Sequence, residues 1–350
     1  SAYGYYYFYK TGTVVTDAIF NIGGFIDNSL PSQSISPEYI SYGLRDDLKN
    51  NPILLKEKQY TAYRTDTLPL VFAGNLSNNL KFKSDDPVYN QNLVLNSLTQ
   101  TQGNVLTYSP KVAKIKVTDS KLNQEKKKFT VTRTSDKEGS VTFTFDGLKP
   151  KETAYVQFGK DLMGFADPLT TYHASQDGNN KPELSITINK KDVRLQPQVK
   201  QLIGVRANQK GQVQIKWSLA GNKRILTSEV PRLVNINLTL LKSKISQVNK
   251  KQMHLTTFRD NYLSGKINTT KNENLVTTIP YSRGWKVKVD GKPVKVSRTL
   301  NVFIGLNMKP GKHTVVMRYR TPGLLIGVIT SIIGIILLVV FNGYLEKKKY

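Results

Sequence analysis

The sequence predicts a mainly β protein: antiparallel β-sandwich or jelly-roll modules after a mixed α/β N-terminal region, with one C-terminal transmembrane helix. Three observations predict it. Between residues 112 and 241, apolar side chains recur with a period of two in short runs separated by Gly, Pro and Asn, the pattern of half-buried strands. A second alternating block follows within 253–320. Finally, Leu324 to Phe341 is an 18-residue run without a charge, about 27 Å long as a helix against a hydrocarbon core of ~30 Å.

Residues 1–105 read as the mixed α/β region. Tyr3 and the run Tyr5 to Tyr9 suit a strand with one wet face, or aromatics at a membrane interface. Asp17 to Ile22 predicts a short helix or turn before Gly23-Gly24. Helices are expected over Glu38–Leu48 and Val88–Leu98, the latter opened by Asp85-Asp86-Pro87, where an acidic cap and a first-turn proline both fit. Leu68 to Phe72 predicts a short buried strand.

Residues 106–240 read as a β-sandwich. Its strands are marked by Val112–Val117, Phe129–Arg133, Val141–Phe145, Tyr155–Phe158, Leu184–Ile188, Val213–Trp217 and Leu233–Leu241. A helical connector over 241–252 leads to a small β domain over 253–320. There Trp285, Val287 and Val289 share one face and Lys286 and Lys288 the other, with Asp290-Gly291 as the hairpin turn. A second hairpin is expected around Lys309 to Lys312, its outgoing strand carrying His313, Val315, Met317 and Tyr319. The membrane helix spans 323–345, and 346–350 is a short basic tail.

Composition limits the chemistry. The chain of 350 residues carries 51 Lys+Arg against 25 Asp+Glu, a formal net charge of +26, and no cysteine. Disulfides, thiolate nucleophiles and zinc-thiolate sites are thereby excluded. The basic excess favours a polyanionic partner. The cations are dispersed, the densest internal run being Lys126-Lys127-Lys128, and no nucleic-acid-binding motif accompanies them, which argues against nucleic acid. His173, His254 and His313 are too far apart for a metal-ligand spacing, and neither GxSxG, P-loop, GxGxxG nor Asp-x-Asp occurs. No metal, cofactor or catalytic residue is therefore assigned. Asp46-Asp47 and Asp85-Asp86 are adjacent acids whose side chains do not converge on a regular element. Trp217 and Trp285 are the two tryptophans. Trp285 sits on a valine-bearing strand face, which favours core packing, but stacking on a sugar ring makes it the candidate ligand-binding residue.

Orientation follows from flanking charge. The tail Glu346-Lys347-Lys348-Lys349 places the C-terminus in the cytoplasm by the positive-inside tendency. Removing its net +2 leaves +24 on the large domain. The opening SAYGYYYFYK has neither a basic n-region nor an apolar h-region. Two readings follow: a tail-anchored protein facing the cytoplasm, or a fragment whose export is driven by upstream transmembrane helices. The aromatic start at Ser1 favours the fragment.

Ile279-Pro280-Tyr281-Ser282-Arg283-Gly284-Trp285-Lys286-Val287-Lys288-Val289-Asp290-Gly291-Lys292 resembles the IPY-x-x-GW-x-V-x-VDGK signature of the bacterial YfhO membrane-protein family. Met308 to His313 and Met317 to Gly323 resemble its PGKH…YRPPG segment before the last transmembrane helix. Phe258 to Ile267 is similar to its upstream β segment, and Thr16 to Ile22 to a shorter motif whose Lys-Tyr is replaced here by Gly23-Gly24.

The resemblance implies a polytopic protein with a GT-C-like glycosyltransferase body, a large extracytoplasmic domain and a closing helix. It implies sugar transfer from a polyprenyl-phosphate donor to an anionic cell-envelope polymer such as lipoteichoic acid, with the catalytic carboxylate on the helical body. On this reading the protein lies in the cell membrane with its large domain outside, and positions the acceptor. The rival reading is a non-enzymatic, single-pass wall-binding protein or adhesin. No LPxTG precedes the helix.

Overall fold

A computed structural model describes residues 12–28, 45–58, 60–109, 114–159, 162–163, 184–193 and 201–347. The aromatic run before residue 10, His173, the first part of the helix expected over 38–48, and the final lysines lie outside the described residues. The chain divides into two compact units. One comprises residues 1–68 and 80–247, the other residues 69–79 and 248–350.

In the first unit, the helix Val14–Ile19 is opened by a reciprocal cap: Thr16 N–H donates to Thr13 Oγ1 (3.1 Å) and Thr13 N–H to Thr16 Oγ1 (2.8 Å). This satisfies amides that a short helix leaves without intrahelical partners. The helix Pro87–Thr99 starts as its sequence requires, with Pro87 in the first turn and Tyr89 N–H donating to Asp86 Oδ1 at 2.9 Å. Buried Asn92 then ties it to the strand Leu106–Tyr108: its Nδ2 donates to the Leu106 carbonyl at 2.7 Å and its Oδ1 accepts from Val105 and Leu106 N–H. Over residues 46–50 the chain forms a 3-10 turn.

The sheets among the described residues are antiparallel. Gly24–Asn28, Tyr60–Arg64 and Ile53–Lys56 form a small three-stranded sheet, with Tyr60–Arg64 central. The five-stranded sheet runs Lys191–Asp192, Leu184–Ile188, Val213–Leu219, Gly139–Phe145, Lys114–Thr118. One four-stranded sheet runs Gln201–Arg206, Thr153–Phe158, Arg232–Ile236, Leu106–Tyr108; the other runs Leu162–Met163, Ile225–Glu229, Lys128–Arg133, Ser120–Glu125. Inward residues of these last three sheets make one core. At its centre is Trp217, with the rings of Phe129, Phe143 and Phe158 5.3, 5.5 and 5.8 Å away in edge-on arrangements. The expected strands from 114 onward are present, except that the run expected over 233–241 is a strand only to Ile236 and helical from Leu238; every residue of Thr153–Phe158 is buried. The helical connector is the helix Leu238–Asn249.

The second unit has two sheets. The five-stranded one runs His254–Arg259, Tyr262–Thr269, Gly311–Tyr319, Trp285–Val289, Lys292–Val294; the four-stranded one runs Ser297–Thr299, Phe303–Leu306, Asn274–Pro280, Val71–Gly74. The early strand thus begins three residues later than Leu68 and pairs with Asn274–Pro280, some two hundred residues on. Asp290-Gly291 is the expected hairpin turn. Both residues have positive φ, 51° and 80°, the conformation that matches a two-residue turn to strand twist.

The second expected hairpin does not form. Phe303–Leu306 belongs to the four-stranded sheet and Gly311–Tyr319 to the five-stranded one. Phe303–Leu306 is buried throughout while Gly311–Tyr319 keeps exposed residues, so the two strands need different surroundings and the chain changes sheets at Lys309–Gly311. The helix Leu324–Lys347 closes the chain.

Candidate functional site

On the five-stranded sheet of the second unit, strand alternation separates two faces. Val287, Val315 and Met317 are buried in the unit's core, whereas Lys286, Lys288 and Arg318 are exposed. Register sets Lys286 directly opposite Arg318 and Lys288 opposite Val316. A groove of about 720 Å³ opens at this edge. It is lined by six cations (Arg283, Lys286, Lys288, Lys295, Arg318 and Arg320), by no acid, and by Tyr262, Tyr281, Trp285 and several valines. Among the described residues, no carboxylate pairs with any of the six. Like charges set directly opposite on a sheet are destabilising when nothing neutralises them.

Trp285 is half-buried. Its ring lies 5.3 Å from that of Tyr319 and it packs against the core while contributing to the groove. Trp217, by contrast, is fully buried. The residue before Trp285 explains the Gly-Trp pair. A Cβ at Gly284 would stand 2.3 Å from the Arg320 carbonyl oxygen and 2.5 Å from Tyr319 Cε2. The Gly284 carbonyl also accepts from Arg320 N–H at 2.9 Å. Only glycine allows this approach of two backbones. Gly284→Ala is expected to destabilise the second unit by about 1–3 kcal/mol through overpacking against rigid backbone, read as an earlier thermal transition of the full chain in detergent.

The turn next to the groove carries an ion pair absent from the sequence reading. His313 Nδ1 lies 2.7 Å from Asp290 Oδ2, and Nε2 lies 2.8 Å from the Lys309 carbonyl oxygen. Both partners only accept, so both ring nitrogens donate and the imidazolium is favoured. The hydrogen bond to Asp290 raises the His313 pKa above its ordinary 6.5. The same bond, with Thr314 N–H donating to Asp290 Oδ1 at 2.8 Å, lowers that of Asp290. A raised histidine contributes stability in full below 6.5 and loses it as pH rises through the folded value. The melting temperature should therefore decline across that upper window in the wild type, and the decline should flatten in His313→Gln. His254 opens an exposed strand. Among the described residues no cluster of three or more His, Asp or Glu has a geometry able to hold a metal ion.

In the first unit, topology assembles a buried charge cluster. Arg45 Nε donates to Asp47 Oδ1 at 3.0 Å and Nη2 to Asp17 Oδ2 at 2.5 Å. Tyr155 Oη donates to Asp47 Oδ2 at 3.0 Å and accepts from Val14 N–H at 3.0 Å. Burial would lower the guanidinium pKa, but the charges of Asp47 and Asp17 outweigh it and hold Arg45 ionised. Burial pushes the Tyr155 hydroxyl well up, and the Asp47 charge adds to this. Asp46, next in sequence, points elsewhere and meets Lys191. Every donor here has an acceptor, which marks a structural lock rather than a reactive site.

A family profile described as "Bacterial membrane protein YfhO" matches residues 3–331. The chain belongs to the YfhO family. A Bacillus subtilis (strain 168) protein named "Uncharacterized protein YfhO" is 28% identical over 113 residues, covering 32% of this chain and 13% of that protein. The match thus spans a small part of that relative's length. A solved anti-sigma factor domain-containing protein aligns with 52% of this chain and 74% of its own at 10% identity, with a TM-score of 0.14. As a YfhO-family member the chain is a membrane protein. Its described residues include one helix long and apolar enough to cross a bilayer, Leu324–Leu345, with a mean hydropathy of 3.1 and none of its apolar window buried. The YfhO-like Gly-Trp and Asp-Gly positions are those that shape the groove: Gly284 admits the Arg320 backbone, and Asp290-Gly291 turns the strand carrying Lys286 and Lys288.

Proposed function

We propose that this chain is the extracytoplasmic C-terminal portion of a polytopic membrane glycosyltransferase, which transfers a sugar from a polyprenyl-phosphate donor to a cell-envelope polymer such as lipoteichoic acid. The β units position the acceptor, the catalytic carboxylate belongs to a helical body outside this chain, and the C-terminal tail is cytoplasmic. The observation carrying this reading is family membership combined with a sheet whose last strand, Gly311–Tyr319, runs within a few residues into the helix Leu324–Lys347. The strongly basic composition supports it, since a cationic domain concentrates a polyanionic acceptor by long-range attraction. Trp285 is the proposed ligand contact, an aromatic surface beside cations where a sugar-bearing group can stack.

Deleting the parent gene tests the reading. Loss of sugar substituents from lipoteichoic acid, restored by the wild-type gene and reduced with Trp285→Ala, is the expected result. Unchanged lipoteichoic acid sugar in the deletion strain overturns it. The isolated chain is expected to transfer no sugar, and measurable transfer would relocate catalysis into these β units.

A further inference from the structure

We propose that the cationic groove of the second unit is a docking site for the phosphate headgroups of anionic membrane lipids, holding this sheet against the leaflet beside its own transmembrane helix. The proposal does not rest on sugar transfer or on which side of the membrane the unit faces, and it shares Trp285 with the proposed acceptor contact.

Position supports it first. Arg320 lines the groove and stands four residues before Leu324, where the apolar helix begins. Even fully extended, that linker reaches at most ~14 Å, so the groove's near end stays at or just outside the headgroup layer. Charge supports it second. Lys286 and Arg318 face each other across adjacent strands with Lys288 further along, and the groove contains no acid. Such a pair repels unless an anion lies over it. A leaflet of phosphates supplies that anion at high local density, with each nearby Lys or Arg contributing to surface binding. Chemistry supports it third. Val316, Pro293 and Val294 lie among the cations, and Tyr262 and Trp285 border them. Amphipathic aromatics beside cations suit the boundary between headgroup and acyl chain. A soluble polyanion would satisfy the charge but would not account for the place of the groove at the root of the helix.

The two tryptophans make the test direct. Trp217 is fully buried and belongs to the first unit, while Trp285 borders the groove. The full chain is reconstituted in nanodiscs of phosphatidylcholine alone or mixed with phosphatidylglycerol, each with a phosphatidylcholine spin-labelled at the headgroup. Docking is read as quenching of Trp285, with Trp217 as a constant background checked in Trp285→Phe. Quenching is expected to be stronger in anionic discs and to fall to the phosphatidylcholine level near 1 M salt, where the Debye length is ~3 Å. Each of Lys286→Gln, Lys288→Gln and Arg318→Gln should lower the docked-to-undocked ratio about 5-fold, and the triple variant roughly 100-fold. These exposed positions leave the core untouched, and unchanged circular dichroism confirms the fold. Equal quenching in the two lipids, or a triple variant that docks like wild type, overturns the proposal. So does soluble polyphosphate that binds the groove in phosphatidylcholine discs and is not displaced by phosphatidylglycerol, since the groove would then serve a soluble polymer.

Discussion

Arg45→Met is expected to destabilise the first unit by about 3–5 kcal/mol near neutral pH, the penalty for removing one partner of a buried ion pair. Methionine approximates the aliphatic length of arginine but removes the cation beside Asp47, whose side chain has 0% exposure. Tyr155 cannot replace it, because its single hydroxyl proton already goes to Asp47. Burial already pushes the Asp47 carboxyl above its ordinary 3.8, and the charge of Arg45 is the largest influence pulling it back. Without Arg45 the folded-state value rises further. A carboxyl raised in the folded state takes up a proton on folding, so the penalty is complete above its folded value and is relieved as pH falls toward 3.8. Chemical denaturation across this range should show Arg45→Met converging on the wild type at low pH. A parallel offset at every pH would mean that lost packing, including the stacking of Arg45 5.1 Å above Phe25, accounts for the whole effect.

That cluster also shows where sequence reading stops. Strands such as Lys128–Arg133, Gly139–Phe145 and Val213–Leu219 were legible because burying one face of a sheet imposes a period of two over a few consecutive residues, whereas Ser120–Glu125, Gln201–Arg206 and Ile225–Glu229 were not read. The cap at Asp86 and the turn at Asp290-Gly291 are equally local. Asp17, Arg45, Asp47 and Tyr155 have no such signature. Tyr155 reaches Asp47 across 108 residues and the Val14 N–H across 141, and only tertiary topology makes them neighbours. The groove is an intermediate case. Alternation puts Lys286 and Lys288 on one face, but the register that sets Arg318 opposite Lys286 arises from pairing with a strand four elements later. The mistaken hairpin at Lys309–Gly311 has the same origin: a Pro-Gly between two apolar runs signals a reversal, yet it does not say whether the second run rejoins the same sheet.

Trp217→Ala should cost about 3–5 kcal/mol, the range for truncating a large aromatic in a core that cannot collapse around the void. Three phenylalanine rings surround the indole, contributed by three different strands, and its own strand pairs on both sides, Trp217 opposite Val141 and Ile186. Backbone on either flank is therefore fixed by ladder hydrogen bonds and cannot move in to fill the space. Trp217→Phe separates shape from polarity. The indole Nε1 is buried without a hydrogen-bond partner among the described residues, and an unsatisfied buried donor costs ~1–3 kcal/mol. Phenylalanine removes that donor while keeping most of the ring, so the two contributions oppose each other and the expected loss is below about 1.5 kcal/mol. Equilibrium unfolding of both variants decides the matter. If Trp217→Phe is as damaging as Trp217→Ala, the indole's full outline rather than its aromatic bulk holds the sandwich together, and the edge-on contacts to Phe129 and Phe143 are its structural centre.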